Sequence, residues 1–202
     1  DLRLLDADTL RQRLQDLQSA MQRIAFQADR AGKVIKSVRD FVRRRSRAHE
    51  SITAQELLDA VLPLVRLQAS KSGVLLDISI EPRLPPVLCD VTMIEQVLLN
   101  LARNAMQAME NMAPGLRKLS ISAQWDESAS RVAFSVMDQG SGIPPEVAEQ
   151  LFTPFFTTKH EGMGLGLSMC RTVLEQHGGE LRYRSNIPHG TVFTFSLPVQ
   201  ND

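Results

Sequence analysis

Two asparagines that stand four residues apart, Asn100 and Asn104, carry the first chemical signal in this sequence. They lie in the segment 93–109, MIEQVLLNLARNAMQAM, whose apolar residues recur at steps of three and four and predict a helix with one buried face. Side chains four residues apart share a helix face. Their amide oxygens suit Mg²⁺, which takes one or two protein oxygens together with substrate phosphates. Taken alone, such a pair is more often solvent-facing or capping, so its meaning depends on further motifs.

A carboxylate followed by two glycines forms the second signal. Asp138 opens the sequence DQGSGIP directly after the alternating apolar residues of 132–136, which predict a strand. A carboxylate here can accept a hydrogen bond from the exocyclic amino group of adenine, whereas the carbonyl of guanine offers no donor. Gly140 and Gly142 let the backbone approach a base closely. Asp-x-Gly is also a common turn sequence, and the residues alone leave both interpretations open.

A third signal is the glycine pattern formed by Gly162, Gly164 and Gly166, which leads into a predicted helix. Backbone N–H groups and the positive end of a helix can bind phosphate oxygens. The spacing is neither the dinucleotide pattern GxGxxG nor a P-loop. Lys159, just ahead, can supply a point charge to a terminal phosphate, although an exposed loop lysine is the plain alternative.

In this order, the asparagine helix, the DxGxG segment, the aromatic segment FTPFFTTK and the segment GMGLGL closely resemble the ATP-binding module of sensor histidine kinases. That module belongs to the wider group of gyrase, Hsp90 and MutL ATPases. The resemblance extends from about residue 25 to the end and implies an α+β fold. The expected architecture is a two-layer α/β sandwich of the Bergerat or GHKL type, preceded by a long helix. The GMGLGL form is most similar to oxygen- and nitrogen-sensing kinases.

The resemblance also assigns roles to residues. It implies ATP and Mg²⁺ as ligands, with Asn104 on the metal, and Asn100 and Lys159 beside the phosphates as the catalytic groups. It places the Thr191 hydroxyl near adenine. The other residues expected to contact the nucleotide are Asp138, Gly140, Gly142, Ile143, Gly162, Met163, Gly164, Leu165, Gly166 and Leu167. Gln107 and Ala108 depart from the pattern, because many members carry a basic and an aromatic residue there.

The residue at position 100 bears on the reaction. In the hydrolysing relatives the corresponding residue is usually a glutamate that activates water, but an amide has no useful basicity at neutral pH. The resemblance therefore implies slow hydrolysis and transfer of the γ-phosphoryl group to a histidine, followed by relay to an aspartate of a response regulator. We expect the acceptor histidine upstream of residue 1. His49-Glu50 imitates its motif but lacks the apolar periodicity of a bundle helix.

The segment 8–45 contains no proline and one glycine, and its apolar residues recur at steps of three, four and seven. This pattern predicts a helix of nearly forty residues with a narrow apolar stripe that needs a partner. The resemblance identifies it as the second helix of a dimerisation hairpin, which implies a homodimer. We accordingly predict a partial hairpin over 1–47 and a catalytic ATP-binding domain over 48–202.

The rest of the chain alternates between helical and strand patterns. Thr53 and Glu56 have the spacing of a capping box, and Asp90 can cap the asparagine helix. Glycines mark two predicted helix ends, at Gly73 and after His177. Strands are predicted at 74–80, 119–125, 131–137, 180–184 and 191–197, and a further helix at 165–176.

Bulk composition narrows the function classes. The sequence has 23 basic and 23 acidic residues, so the chain has no net positive charge that would attract nucleic acid. It lacks an apolar run of about 18 residues, so we expect membrane contact only through segments outside these residues. Cys89 and Cys170 have no CxxC or histidine-rich context, which argues against zinc or a disulfide framework and favours a reducing cytoplasm.

Two other functions remain open at this point. A serine protein kinase of the anti-sigma-factor type shares the nucleotide fold, although the long helix ending in RDFVRR argues against it. A non-catalytic module that binds nucleotide and dimerises as a scaffold is the second alternative.

Overall fold

The computed structural model describes residues 7–43, 49–159 and 162–199. The chain divides into two compact units, Asp1–Ser46 and Arg47–Asp202. The boundary predicted between residues 47 and 48 lies in a stretch outside the described residues, and so do His160, Arg44, Arg45 and Arg47.

The first unit contains one long helix, α1 (Ala7–Arg43), of 37 residues. It agrees with the helix predicted over 8–45. Five large apolar side chains spaced three or four residues apart lie exposed along one face: Leu10, Leu14, Leu17, Met21 and Ile24. Within this unit, no described element covers that stripe.

The second unit begins with β1 (Glu50–Ile52), α2 (Ala54–Lys71), β2 (Leu75–Ile80), β3 (Val87–Cys89) and α3 (Val91–Ala108). It continues with β4 (Lys118–Asp126), β5 (Arg131–Met137), α4 (Pro145–Ala148), α5 (Gly166–Gln176), β6 (Glu180–Ser185) and β7 (Thr191–Pro198). Five strands form a sheet in the order β2-β4-β5-β7-β6. Only β2 and β4 pair in parallel among these neighbours, and β1 and β3 form a separate antiparallel ribbon.

Local sequence signals explain where α2 and α3 begin and where α2 ends. Thr53 and Glu56 form the predicted capping box at α2, since each side chain accepts a hydrogen bond from the other residue's backbone N–H. Pro63 lies inside α2, and Gly73, at φ 61°, follows its end. Asp90 caps α3 by accepting a hydrogen bond from the backbone N–H of Met93 at 3.1 Å.

The core lies between one face of the sheet and the helices α2, α3 and α5. Alternate residues of β4, β5 and β7 are buried, and Phe134 stacks on its cross-strand partner Phe195 with ring centroids 5.0 Å apart. The opposite face bears short polar side chains, among them Ser135 and Thr194, which share a hydrogen bond of 2.8 Å. This arrangement confirms the α+β two-layer sandwich. No helix within the described residues is both long enough and apolar enough to cross a membrane.

Candidate functional site

Helix α3 places Asn100 against the beginning of α5. The residue is only 7% exposed; its amide Nδ2 donates a hydrogen bond to the Cys170 sulfur at 3.2 Å, and its Oδ1 accepts one from Arg103 at 3.0 Å. A Cβ added at Gly166, the first residue of α5, would lie 2.8 Å from the Asn100 amide. Glycine at this position therefore lets the amide reach the first turn of α5. Burial raises the pKa of the Cys170 thiol to about 12, so this sulfur is uncharged at neutral pH.

Asn104 lies one turn further along α3 and contacts Lys159, the lysine that the sequence predicts to bind a phosphate. The Lys159 ammonium lies 3.4 Å from the Asn104 Oδ1 atom and 2.7 Å from the Gln107 Oε1 atom. Loss of surrounding water lowers the pKa of Lys159, and the Arg103 guanidinium lowers it further. Lys159, which is more than 50 positions away in the sequence, is thus brought to two neighbouring amide side chains on the surface of α3.

The carboxylate of Asp138 is fixed at the end of β5. It is 2% exposed, and its Oδ1 atom accepts hydrogen bonds from the backbone N–H groups of Gly140 at 2.8 Å and Thr191 at 3.2 Å. Thr191 is itself buried at the start of the neighbouring strand β7. Within the described ranges, no donor pairs with Oδ2. Burial raises the pKa of Asp138, while the two backbone hydrogen bonds act in the opposite direction.

Close backbone contacts shape the surroundings of Asp138. A Cβ at Gly140 would lie 2.6 Å from the carbonyl oxygen of Ala108, at the end of α3. Gly190, at φ 111°, approaches the backbone of Asp138 so closely that a Cβ there would overlap the Asp138 carbonyl. Asn186 donates to the same carbonyl oxygen at 2.8 Å. These contacts pack the end of β5, the end of α3 and the β6–β7 loop closely together around Asp138.

The glycine segment connects the aromatic segment to α5. Gly164, at φ 67°, accepts a hydrogen bond from the backbone N–H of Phe155 at 2.9 Å, and a Cβ there would overlap the Phe155 backbone. Leu165 occupies the cap position of α5 without a side-chain hydrogen bond, which leaves backbone N–H groups of the first turn for a ligand. Among the remaining predicted residues, Leu165 is buried, and Ile143, Gly162, Met163 and Leu167 are half-buried.

Helix α5 ends at a histidine whose contacts the sequence did not reveal. His177 caps α5, as its position before Gly178 predicted, but it is also buried and accepts a hydrogen bond on Nε2 from the backbone N–H of Asp90 at 3.0 Å. Burial lowers its pKa, and the His49 ring lies 4.8 Å away. His177 thus connects the end of α5 to the beginning of α3.

Sequence reasoning missed several polar residues around the site. Arg103 stands between the two asparagines and could have been found from the helix pattern, because position 103 is a helical neighbour of position 100. Gln107 stands out in the sequence only as a departure from a family pattern. Asn186 and Gly190 belong to no recognisable sequence motif. They contact Asp138 only because the β6–β7 hairpin folds back towards it.

No group of three or more histidine, cysteine, aspartate or glutamate residues in the described part of the chain could hold a metal ion. At this site the Asn104 side chain presents an amide oxygen, which already accepts a hydrogen bond from the Lys159 ammonium. Mg²⁺ accepts such a site, because it keeps most of its water and takes few protein ligands.

Comparison with known proteins adds independent information. Residues 89–201 match the family model described as histidine kinase-, DNA gyrase B- and HSP90-like ATPase. The C4-dicarboxylate transport sensor protein DctS of Rhodobacter capsulatus is 40% identical over 187 residues, which make up 92% of this chain. The chain spans 28% of the length of that relative.

Two solved structures are similar in fold. The nucleotide-free catalytic domain of histidine kinase ThkA matches with a TM-score of 0.66 and 35% identity, covering 76% of this chain and 97% of that one. The structure of ThkA in complex with the response regulator TrrA matches with a TM-score of 0.66 and 29% identity, covering 98% of this chain and 54% of that one.

Proposed function

The chain belongs to the family of histidine kinase-, DNA gyrase B- and HSP90-like ATPases, and from this premise we propose that it is the ATP-binding catalytic domain of a sensor histidine kinase. In this proposal the chain binds ATP with Mg²⁺ and transfers the γ-phosphoryl group to a histidine side chain outside residues 1–202. The observation that carries the proposal is the buried Asp138 carboxylate, which is held by two backbone N–H groups through one oxygen and leaves the other oxygen for a ligand.

Asp138 supplies selectivity for adenine. Its Oδ1 atom is fixed by Gly140 and Thr191, so Oδ2 has a defined direction and accepts a hydrogen bond from the exocyclic amino group of the base. Guanine would direct a carbonyl oxygen at the carboxylate, and two acceptors repel each other. A ligand that leaves such a buried carboxylate unpaired is strongly disfavoured.

The phosphate end of the site fits Mg²⁺·ATP. The Asn104 oxygen already accepts a hydrogen bond from an ammonium group, so it faces a position suited to a cation. Asn104 would hold the metal, which when bound neutralises charge on the phosphates. Lys159 would contact the terminal phosphate, and the free N–H groups at the start of α5 would bind phosphate oxygens. Together these groups position the phosphates and stabilise negative charge in the transition state.

The surroundings of Asn100 favour transfer over hydrolysis. Both polar atoms of its amide are engaged within the protein, and an amide cannot take a proton from water at neutral pH. We therefore propose that water is poorly activated here and that the nucleophile is the imidazole of the acceptor histidine. Arg103 and Cys170 hold Asn100 in place beside the first turn of α5.

The partners in this proposal are a second copy of the chain and the receiver domain of a response regulator. The exposed stripe of α1 supports dimerisation, and the complex of ThkA with TrrA supports a response regulator as the partner. We also place the domain in the cytoplasm, because ATP is available there and both described cysteines are free thiols.

Calorimetric titration with Mg²⁺·ATP tests the proposal, using Asp138→Asn as the variant. Asparagine keeps an oxygen for the N–H groups of Gly140 and Thr191 but can present an NH₂ group to the amino group of adenine. We expect at least an approximately tenfold loss of ATP affinity, the magnitude of one hydrogen bond to a charged group. GTP should not bind the wild-type chain.

The matched control is Asp59→Asn, the same change at an exposed position on α2. It should leave ATP affinity unchanged. Absence of ATP binding by the folded wild-type chain, or equal affinity in Asp138→Asn, would contradict the nucleotide site. Transfer to histidine is tested with a chain that contains the proposed acceptor histidine: the phosphate on it should be acid-labile and base-stable, whereas phosphoserine from a serine kinase behaves oppositely.

A further inference from the structure

The ammonium group of Lys159 lies between two amide oxygens of α3. Its Nζ atom is 2.7 Å from Gln107 Oε1 and 3.4 Å from Asn104 Oδ1, so the shorter contact is with Gln107. Gln107 and Asn104 are three residues apart and therefore adjacent on the helix surface. We call this pair of oxygens the lysine seat.

The chemistry of the lysine seat depends on residue 107 being an amide. A glutamine oxygen accepts a hydrogen bond from an ammonium, whereas a basic side chain at the same position would repel it. Arg103 adds positive charge nearby and contacts Asn100, while Glu110 and Asp138 attract Lys159. The two uncharged oxygens of the seat therefore hold the ammonium by directed hydrogen bonds in a region of mixed charge.

We propose that Gln107 is a positioning residue, which holds Lys159 on the Asn104 oxygen until Mg²⁺·ATP displaces it. This inference rests on the proposed role of Asn104 as the metal ligand. Lys159 then acts as a resident cation in the nucleotide-free chain and as a phosphate contact in the complex. Gln107 contributes only to the first of these two states.

The proposal has a direct physical consequence. Two cations cannot share one amide oxygen at short range without strong repulsion, so Lys159 must leave the lysine seat before Asn104 can bind Mg²⁺. The hydrogen bond to Gln107 stabilises the nucleotide-free state alone. Its removal should therefore strengthen Mg²⁺·ATP binding, which is opposite to the loss expected if Gln107 contacted the nucleotide.

The first test uses the nucleotide-free chain and needs no ligand. Gln107→Leu removes the accepting oxygen but retains much of the side-chain volume. We expect hydrogen exchange at the backbone amides of Thr157, Thr158 and Lys159 to become at least about threefold faster, because one anchor of this segment is lost. The control, Gln96→Leu, makes the same change at an exposed position earlier on α3 and should leave these rates unchanged.

The second test measures Mg²⁺·ATP affinity by calorimetry in a double-mutant cycle with Lys159→Met. In the wild-type background, Gln107→Leu should tighten binding about three- to tenfold, the range of a single hydrogen bond. In the Lys159→Met background it should have no effect, because the group that Gln107 positions is gone. A purely structural role for Gln107 would act equally in both backgrounds.

Three results would overturn the lysine seat: unchanged exchange in Gln107→Leu, weaker binding of Mg²⁺·ATP, or an equal gain in both backgrounds. Failure of the proposed function looks different. In that case the wild-type chain would not bind ATP at all, while the exchange measurement would still report whether Gln107 holds Lys159.

Discussion

At the scale of single residues, His177 has a defined protonation state. Its Nε2 atom accepts a hydrogen bond from the Asp90 backbone N–H, so the ring proton is on Nδ1, which donates to the Val173 carbonyl oxygen at 2.7 Å. A second proton would occupy Nε2 and eliminate the hydrogen bond to Asp90. The neutral ring therefore stabilises the contact between the end of α5 and the beginning of α3.

This state predicts a loss of stability in mild acid. Burial, followed by the charge of His49, lowers the pKa of His177 below 6.5, while the Val173 hydrogen bond and Asp90 oppose the shift. The unfolded chain consequently binds a proton more readily than the folded chain as the pH falls through 6.5. The stabilisation is complete above pH 6.5 and declines below it. Urea unfolding at pH 7.0 and 5.5 should show this decline.

The matching variant is His177→Gln, whose amide oxygen can accept the Asp90 N–H but does not titrate. We expect it to cost about 1 kcal/mol at pH 7, the value of one hydrogen bond. Its free energy of unfolding should change less between pH 7.0 and 5.5 than that of the wild type. An equal pH dependence in both proteins would show that His177 does not titrate on unfolding.

Residue types at the site were partly predictable. Asp138 stands out locally as a carboxylate between a predicted strand and two glycines, but its role at adenine, like that of Thr191, follows only from the other motifs and the family resemblance. The roles of Gln107 and His177 were not predictable. Their partners, Lys159 and Asp90, lie 52 and 87 positions away, and nothing in the local sequence specifies such contacts.

At the scale of elements, the packing of β5 against α3 depends on a missing side chain. A Cβ at Gly140 would lie 2.6 Å from the Ala108 carbonyl oxygen. This oxygen belongs to the backbone of a helix, and shifting that backbone to relieve the overlap would cost free energy. Gly140→Ala should therefore lower the free energy of unfolding by about 1–3 kcal/mol, as expected for overpacking. It should also weaken ATP binding, because Asp138 is two residues away. Urea unfolding and calorimetry measure the two effects.

The matched control is Gly32→Ala in α1, where a Cβ would meet no atom within 4 Å. Alanine is better than glycine in a helix interior by roughly 0.5–1 kcal/mol, so this variant should gain helix stability. The same chemical change is thus expected to have opposite effects in the two units. Equal stability of Gly140→Ala and the wild type would mean that β5 and α3 can separate without cost.

Elements with strong periodicity were predictable, and those that depend on tertiary pairing were not. The prediction for β5 has the same bounds as the structure, because its apolar and polar residues alternate without interruption. β1 and β3 were missed, since each has three residues and they are stabilised mainly by pairing with each other. Helix α4 was missed because four residues make only about one helical turn, which is too short to show a repeating apolar pattern.

At the scale of the whole molecule, the apolar stripe of α1 predicts self-association. Leu14 and Leu17 are 57% and 58% exposed, which is costly for two large apolar side chains on one helix face. The double variant Leu14→Lys with Leu17→Lys should raise the dimer dissociation constant at least about 100-fold, since each buried leucine contributes about 1.5–3 kcal/mol. Sedimentation equilibrium measures this constant.

The control is the double variant Gln12→Lys with Ser19→Lys, which places the two lysines on the opposite face of α1. That variant carries the same added charge and should still dimerise. ATP affinity should be the same in both double variants, because the nucleotide site lies in the second unit. A wild-type chain that remains monomeric at high concentration would contradict the prediction.

In the part of the chain that the structure describes, β2 and β6 are the edge strands of the five-stranded sheet, and this bears on its resistance to aggregation. Unpaired backbone at a sheet edge can template the addition of a strand from another chain. β6 carries the exposed arginines Arg182 and Arg184, and on β2 Asp77 forms an ion pair with Lys118 at 3.0 Å. An incoming strand would have to strip water from these charges. The edges therefore discourage cross-β growth, even though the strands between them are among the most apolar parts of the chain.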